Sequence, residues 1–100
     1  MEDELILRDF EWDEQKNEAN IINRGLDFEF ASLIFLDNDR LRYNDNRKNY
    51  GELRYQTIGK AFESILFVAY TIRGSKIRII SARQANKKER SIYENSKENY

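Results

Sequence analysis

Apolar residues are concentrated in the second half of the chain, in two runs separated by a short polar break. Residues Ile65–Ile72 are rich in β-branched and aromatic side chains, and Lys76–Arg83 form a second run of this kind. Gly74 and Ser75, which lie between the runs, suit a two-residue turn. The pattern therefore predicts a β-hairpin.

The arginines of this hairpin are expected on different faces of the sheet. With a two-residue turn, the pairing register sets Arg83 opposite Leu66, on the face that carries Tyr70. Arg78 shares the other face with Thr71. Because Arg83 ends its strand just before a helix, we expect it to be the arginine best placed to enter a cleft.

A first helix is predicted from Glu14 to about Arg24. Asp13 is a suitable N-cap, and Gly25 suits the left-handed position that follows the last helical residue. The apolar stripe of this helix is thin, and we expect Trp12, Ala19 and Ile22 to face the core.

Two further helices are predicted from capping patterns. Asp27 can cap a helix from Phe28 to about Leu36, whose apolar residues form one wide face. Asn86 and Glu89 form a variant of the capping box, in which each side chain bonds the backbone N–H of the other. This box opens a C-terminal helix.

Shorter segments predict the remaining strands: a first strand from Leu5–Leu7, followed by Phe10 and Trp12, an edge strand at Arg40–Tyr43, and a third candidate at Glu52–Gly59. The sequence thus predicts an α+β fold. Two N-terminal helices pack on a twisted, mostly antiparallel sheet of about four strands, and a C-terminal helix lies across the sheet. We expect residues 1–100 to form a single domain.

Composition narrows the chemistry. The chain contains no cysteine and no histidine, which excludes disulfides, thiolate chemistry and hydrolases that depend on a histidine base. Acid–base work would fall to Lys, Tyr, Asp or Glu. We expect no metal and no cofactor. The acidic N-terminus lacks the basic flank of a signal peptide and no apolar run is long enough to span a membrane, so we expect a cytoplasmic protein.

The net charge of −1 conceals an asymmetry between the two halves of the chain. Residues 1–50 carry 7 Lys+Arg and 13 Asp+Glu, a net charge of −6, whereas residues 51–100 carry 10 and 5, a net charge of +5. A basic half is compatible with binding an anionic polymer. The alternative is that the halves interleave in the fold and the charges form solvated faces.

The residues also resemble a known family. The most specific stretch reads R-I-I-S-A-R-x-A-x-x-x-E-R-x-x-Y, from Arg78 to Tyr93. Further matching positions are Phe10-Glu11-Trp12-Asp13, Lys16, Asn20, Gly25-Leu26-Asp27-Phe28, Ala31, Arg54, Ile58-Gly59, Val68, Tyr70-Thr71 and Arg73. Over roughly residues 10–94 the chain closely resembles the BrnT family of toxins from bacterial type II toxin–antitoxin pairs, with residues 1–9 as a short N-terminal extension.

The resemblance implies a RelE-like ribonuclease fold and RNA cleavage that inhibits translation. It also implies neutralisation by a BrnA-type antitoxin that carries a ribbon-helix-helix DNA-binding module, so that operator DNA is reached only through the antitoxin. One motif departs from the family. The family reads N-x-x-K-H-G where this chain has Asn20 followed by Asn23, Arg24 and Gly25, so Asn replaces the Lys and Arg replaces the His.

RNA cleavage by 2′-hydroxyl attack needs proton transfer and stabilisation of the charge that builds up on phosphorus, which arginines supply well. We expect Arg54, Arg73 and Arg83 to meet around one concave spot that holds the scissile phosphodiester. Lys16 and Tyr93 are the candidate proton movers, each of which would need a depressed pKa. Further RNA-binding candidates are Arg24, Arg78, Lys87 and Arg90.

Two functional hypotheses remain open from the sequence. The first is a metal-independent ribonuclease toxin. The second is a catalytically weak or inactive scaffold that binds its antitoxin and acts as co-repressor of their operon. The altered Asn23-Arg24 pair and the absence of histidine favour the second hypothesis, whereas the basic second half favours the first.

Overall fold

The computed structural model of the chain describes residues 9–98. Its strands are β1 (Asp9–Glu11), β2 (Leu41–Asn44), β3 (Tyr55–Ala61), β4 (Ser64–Arg73) and β5 (Lys76–Gln84). Its helices are α1 (Glu14–Arg24), α2 (Phe28–Ala31), which continues as a 3₁₀ segment (Ser32–Leu36), and α3 (Lys87–Glu98). The strands form one sheet in the order β1-β5-β4-β3-β2.

The α+β class is confirmed, but the sheet has five strands rather than about four, and it is mixed. The first strand, predicted around Phe10, is β1; it runs parallel to β5 and pairs Asp9 with Lys76 and Glu11 with Arg78. The other three strand pairs are antiparallel, as predicted. The predicted beginning of the first strand at Leu5–Leu7 lies outside the described residues.

Helix α1 has the predicted limits. The Asp13 carboxylate accepts from the backbone N–H groups of Gln15 and Lys16, and Gly25 follows the helix in a left-handed conformation (φ 71°). The predicted apolar stripe is correct only for Trp12, which packs against the core; Ala19 and Ile22 are exposed, Ile22 by 81%.

An amide holds α1 in place instead. Asn20 is buried; its Oδ1 accepts from the backbone N–H of Ala82 on β5 (3.2 Å), and its Nδ2 donates to the carbonyl of Leu26 (2.9 Å). Because β1 pairs only with the beginning of β5, this amide bonds β5 beyond the end of β1. The helix is therefore fixed along the edge of the sheet by hydrogen bonds.

The second predicted helix is correct at its start and wrong in its extent. Asp27 caps it through the backbone N–H of Phe30 (2.6 Å), but the α-helix ends after one turn and a 3₁₀ segment follows. Phe28, Ala31 and Ile34 are all fully buried. Since residues three apart eclipse each other in a 3₁₀ helix, this spacing keeps successive core residues directed at the sheet.

The predicted hairpin is confirmed, with Gly74 in a left-handed conformation at its turn (φ 60°). Its register is the predicted one from the turn to the Tyr70–Ile79 pair, with Arg78 opposite Thr71, but it differs beyond that pair. Tyr70 pairs with Ile79, whereas Ala69 pairs with Ser81, so Ile80 is an extra residue in β5. Such a β-bulge shifts every later side chain of the strand to the other face.

Arg83 consequently lies opposite Phe67, not opposite Leu66 as predicted. Ala82 takes the inward position, opposite Val68, and both are buried in the main core. Arg83 is thereby turned to the face of the sheet opposite this core.

The main core lies between the sheet and the segment that runs from Leu26 through α2 and the 3₁₀ turn. Trp12 packs edge-on against Phe28 (6.1 Å between ring centroids), and Tyr70 packs edge-on against Phe35 (5.0 Å). The other buried members are Leu26, Ala31, Ile34, Ala61, Leu66, Val68, Ile77, Ile79 and Ala82.

Helix α3 packs against β3 and is anchored by one carboxylate. Tyr93, only 1% exposed, donates its hydroxyl to Oδ2 of Asp37 (2.6 Å). The same oxygen accepts from the backbone N–H of Lys60 (2.9 Å), and Oδ1 accepts from that of Asp39. Asp37 therefore joins the end of the 3₁₀ segment, β3 and α3. Burial and the Asp37 carboxylate raise the pKa of Tyr93 above its ordinary value.

Replacing Gly59 by alanine is expected to destabilise the fold. A Cβ atom there would lie 2.8 Å from Cβ of Ile34 and 3.3 Å from the Ile34 carbonyl oxygen, so the 3₁₀ segment would have to move. We expect a loss of about 1–3 kcal/mol in the free energy of unfolding, measured by urea denaturation. Lys60→Ala, at the exposed neighbouring position, should change it by less than about 0.5 kcal/mol. Equal stability of Gly59→Ala and the parent protein would contradict the close packing.

Tyr93→Phe should lower the free energy of unfolding near neutral pH by about 1–3 kcal/mol, since it removes a hydrogen bond to a carboxylate. Because the folded-state pKa of Tyr93 is raised, this contribution is fully present below about pH 10 and is lost as the pH rises further. Urea denaturation at several alkaline pH values should therefore show a smaller loss of stability for Tyr93→Phe than for the parent protein. Tyr43→Phe, an exposed position on β2, is the matched control and should change the free energy of unfolding near neutral pH by less than about 0.5 kcal/mol.

Candidate functional site

A cleft of about 200 Å³ lies beside the C-terminal end of β5, and three arginines line it. We call it the arginine cleft; it is lined by Arg24, Arg47, Gln56, Phe67, Ala69, Ser81, Ala82 and Arg83. Gln56, Ala69 and Ser81 are paired across β3, β4 and β5, so they form a continuous strip on the face opposite the main core. The arginines come from α1, the β2–β3 loop and β5.

The guanidinium of Arg83 is held firmly at the cleft. Its Nη1 and Nη2 donate to the two carboxylate oxygens of Glu89 (2.8 and 2.9 Å), and Nη1 also donates to the carbonyl of Gln84 (3.2 Å). Its planar face lies 4.2 Å from the ring centroid of Phe67, a cation–π contact. The ion pair raises the pKa of Arg83 and lowers that of Glu89.

Arg47 is fixed by the loop that carries it. Its Nε and Nη2 donate to the two oxygens of Asp45 (2.9 Å each), which also accept from the Tyr50 hydroxyl and the Arg47 backbone N–H. The hydrogen bonds from Arg47 lower the pKa of Asp45 to about 2. The backbone N–H of Asp45 donates to the Arg54 carbonyl, which closes the base of the loop.

Arg24 is the last residue of α1, where a positive charge is favourable beside the C-terminal end of the helix. The Asn20–Ala82 hydrogen bond holds α1 along β5 and so brings Arg24 to the cleft. Gly25 ends the helix at once, which lets the chain turn back towards the core residues that follow.

The lining is suited to binding an oxyanion. Guanidinium groups keep their charge at all ordinary pH values, and their planar N–H forks match phosphate and carboxylate oxygens. Gln56 and Ser81 add neutral hydrogen-bonding groups. Among the eight lining residues named above there is no lysine, tyrosine or carboxylate. The cleft therefore provides positive charge rather than a group that titrates near neutral pH.

The three arginines expected to converge do not do so. Arg54 and Arg73 both contact Glu52, at 3.5 and 3.2 Å, while Arg83 lies in the arginine cleft. Arg73 is six residues from Phe67, the partner of Arg83, which is roughly 20 Å along β4. The predicted meeting point is therefore wrong, because Arg73 lies at the turn of the hairpin and Arg83 lies towards its open end.

The candidate proton movers also lie elsewhere. Tyr93 is buried against Asp37, and its pKa is raised, the direction opposite to the one that a proton-moving role would need. Lys16 is exposed in the first turns of α1 and does not line the cleft.

Among the four predicted RNA-binding residues, Arg24 lines the cleft. Arg78 pairs with Glu11 (3.1 Å), and Arg90 donates to the carbonyl of Ala85 (2.7 Å). Lys87 is exposed at the start of α3. Arg78, Lys87 and Arg90 are thus outside the cleft lining.

Sequence reasoning missed Arg47, Gln56 and Ser81, which carry no periodic signal because a loop and two strands bring them together. It identified Glu89 as a capping residue, which the structure confirms, but not as the partner of Arg83. The available signal was that Glu89 follows Arg83 by six residues, across the end of a strand and the start of a helix, which can bring the two side chains together.

No group of three or more His, Cys, Asp or Glu side chains within residues 9–98 is arranged to hold a metal ion. Nor is any helix in that range long and apolar enough to cross a membrane.

Comparison with curated proteins found no match. A family model described as "Ribonuclease toxin, BrnT, of type II toxin-antitoxin system" matches residues 12–89, which are 78 of the 100 residues. The matched range includes all three cleft arginines and Glu89. The resemblance noted from the sequence is thereby confirmed. The chain belongs to the BrnT family of ribonuclease toxins from type II toxin–antitoxin systems.

Proposed function

We propose that this protein is a metal-independent endoribonuclease that binds RNA in the arginine cleft and inhibits translation by cleaving it. The observation that carries the proposal is the meeting of Arg24, Arg47 and Arg83 from three separate elements at one cleft, in a chain of a ribonuclease toxin family. Single-stranded or locally opened RNA would present a phosphodiester to such a site.

In the proposed reaction the ribose 2′-oxygen attacks the adjacent phosphorus and forms a new P–O bond. The bond to the 5′-oxygen breaks, which leaves a 2′,3′-cyclic phosphate and a 5′-hydroxyl. The 2′-hydroxyl proton passes to water, and the leaving oxygen takes a proton from water. The arginines stabilise the negative charge that develops on the non-bridging oxygens. No oxidant, reductant or further reactant is needed.

One of the two positions at which this chain departs from the family motif lies at the cleft. Arg24 stands where the resemblance gives a histidine, and it lines the cleft. An arginine remains charged where a histidine would titrate. This substitution supports a mechanism based on charge stabilisation, in which the RNA affinity of the cleft changes little between mildly acidic and mildly alkaline pH.

The same substitution supports a second candidate function. A chain without histidine, and without a neutral-pH titrating group in its cleft lining, is suited to be a scaffold that binds its antitoxin and acts as co-repressor. Purified protein that leaves RNA intact and still binds its antitoxin would favour this function over the ribonuclease.

Membership of a toxin–antitoxin family implies an antitoxin partner. We propose that it is a BrnA-like ribbon-helix-helix protein, encountered in the cytoplasm, that presents carboxylates to the arginine cleft in place of phosphate. Operator DNA would be bound through the antitoxin alone. Exposed apolar side chains, among them Ile22, Leu53 and Phe62, are available for contacts that do not depend on charge.

Arg83→Ala is expected to lower kcat for cleavage of a defined RNA oligonucleotide about 100-fold, since it removes a fixed donor from the transition state. Chelation of divalent cations should leave the parent activity unchanged. Lys88→Ala, which removes an exposed positive charge on α3 outside the cleft lining, is the charge-matched control and should retain activity within about twofold. A larger loss of kcat for Arg73→Ala than for Arg83→Ala would instead locate the site where Arg54 and Arg73 contact Glu52.

The complex with the antitoxin should be much less sensitive to salt than RNA binding. Apolar contacts are not screened, so we expect affinity for the antitoxin to fall only modestly between about 0.1 and about 1 M salt. RNA affinity over the same range should fall steeply, because phosphate contacts release counterions. Both can be measured by titration of the same protein preparation. Complete dissociation of the antitoxin complex at moderate salt would contradict the apolar contribution.

A further inference from the structure

We infer that Glu89 is a positioning residue of the arginine cleft, which holds the guanidinium of Arg83 so that its remaining N–H groups are available to a phosphate. The inference rests on the proposed function, because it assumes that a phosphodiester binds at Arg83. Glu89 is not itself among the residues that line the cleft.

The guanidinium of Arg83 is constrained on two edges and one face. Glu89 takes one N–H of Nη1 and one of Nη2, the Gln84 carbonyl takes the second N–H of Nη1, and the ring of Phe67 covers one planar face. Of the five N–H groups of an arginine, this leaves one on Nε and one on Nη2. These two are adjacent and form a fork of the kind that binds two phosphate oxygens side by side.

The carboxylate of Glu89 is itself held by hydrogen bonds at the start of α3. Its Oε1 accepts from the backbone N–H of Asn86 (2.9 Å), and Oδ1 of Asn86 accepts from the backbone N–H of Glu89 (2.8 Å). The capping box thus holds the carboxylate at the start of α3, and the Tyr93–Asp37 hydrogen bond anchors the same helix further along. A continuous set of hydrogen bonds leads from the helix to the cleft.

A purely electrostatic role for Glu89 predicts the opposite change in RNA affinity. A carboxylate beside an RNA site repels phosphate and competes for arginine donors, so a purely electrostatic effect means that removing its charge tightens RNA binding. A positioning role means that removing it weakens binding, although the protein becomes more positive. The sign of the change in affinity therefore separates the two roles.

The decisive variant is Glu89→Gln. Glutamine can still serve in a capping box, so the start of α3 is retained, but its amide N–H₂ cannot accept the second hydrogen bond from Arg83. Asn86→Ala is the matched control, because it weakens the cap while leaving both Arg83–Glu89 hydrogen bonds in place. A loss of binding that arises only from a weakened helix start would appear in both variants.

Two measurements on the full chain test the inference. The first is nitrogen-15 NMR of the Arg83 side chain, in which slow rotation of the guanidinium group should be lost in Glu89→Gln and retained in Asn86→Ala. The second is the affinity for a 2′-O-methyl RNA oligonucleotide, which cannot be cleaved by 2′-hydroxyl attack. We expect Glu89→Gln to bind it about tenfold more weakly, the effect of one charge-assisted hydrogen bond, and Asn86→Ala to bind it within about twofold of the parent protein.

Unchanged or tighter RNA binding by Glu89→Gln would overturn the positioning role, as would unaltered mobility of the Arg83 side chain. Arg83→Ala separates this failure from failure of the proposed function. If Arg83→Ala weakens RNA binding and Glu89→Gln does not, the cleft binds RNA and Glu89 does not position it. If Arg83→Ala binds RNA as the parent does, the proposed RNA site is wrong, and the positioning inference falls with it.

Discussion

Tyr70 pairs with Ile79 and Ala69 pairs with Ser81, so the backbone of β5 contains one residue, Ile80, more than the facing part of β4. The hydrogen bonds that flank this bulge decide which face each later side chain occupies. Ala82 is directed into the main core, and Arg83 is directed to the opposite face. Without the extra residue an arginine would be directed into a close-packed apolar core, at a large cost in desolvation. The arginine cleft depends on this one irregularity in an otherwise regular hairpin.

The bulge directs Arg83 to a formed cleft because the elements around it are each held by their own hydrogen bonds. The Asn20 amide holds α1 against β5, the Asp45 carboxylate holds the β2–β3 loop, and the Asp37 carboxylate holds α3. In each case a short polar side chain makes two or more hydrogen bonds, so its position is over-determined. The acidic and basic halves of the chain also interleave: Glu11 pairs with Arg78, and two of the three cleft arginines come from the acidic half. The basic surface is a product of folding, not of one segment.

Much of the fold could be predicted from the sequence because its signals are local. Asp13, Gly25 and Asn86 mark helix ends through hydrogen bonds and backbone conformations that involve only near neighbours. The errors arose where a distant partner decides the outcome. The exposure of Ala19 and Ile22, for example, depends on the hydrogen bond that the Asn20 side chain makes to the distant Ala82 N–H.

The candidate site was less accessible to sequence reasoning for the same reason. A single extra residue reverses the face on which Arg83 lies, and nothing in the alternation of residues 76–83 marks where that residue is inserted. Arg47 comes from an irregular loop whose conformation is set by its own ion pair with Asp45. The RelE-like character that the resemblance implies stays a prediction.

The bond from the Ala82 N–H to Asn20 has a consequence for how other molecules approach this surface. An edge strand with unpaired backbone N–H groups can pair with a strand of another molecule. β1 pairs only with the beginning of β5 and leaves the later part of β5 without a neighbouring strand on that side. The Asn20 side chain and its helix occupy that margin, immediately beside Arg83. A ligand or protein that contacts the arginines must therefore approach the face of the sheet opposite the main core and be recognised by side chains. It cannot add a strand beside this part of β5, because α1 occupies that edge.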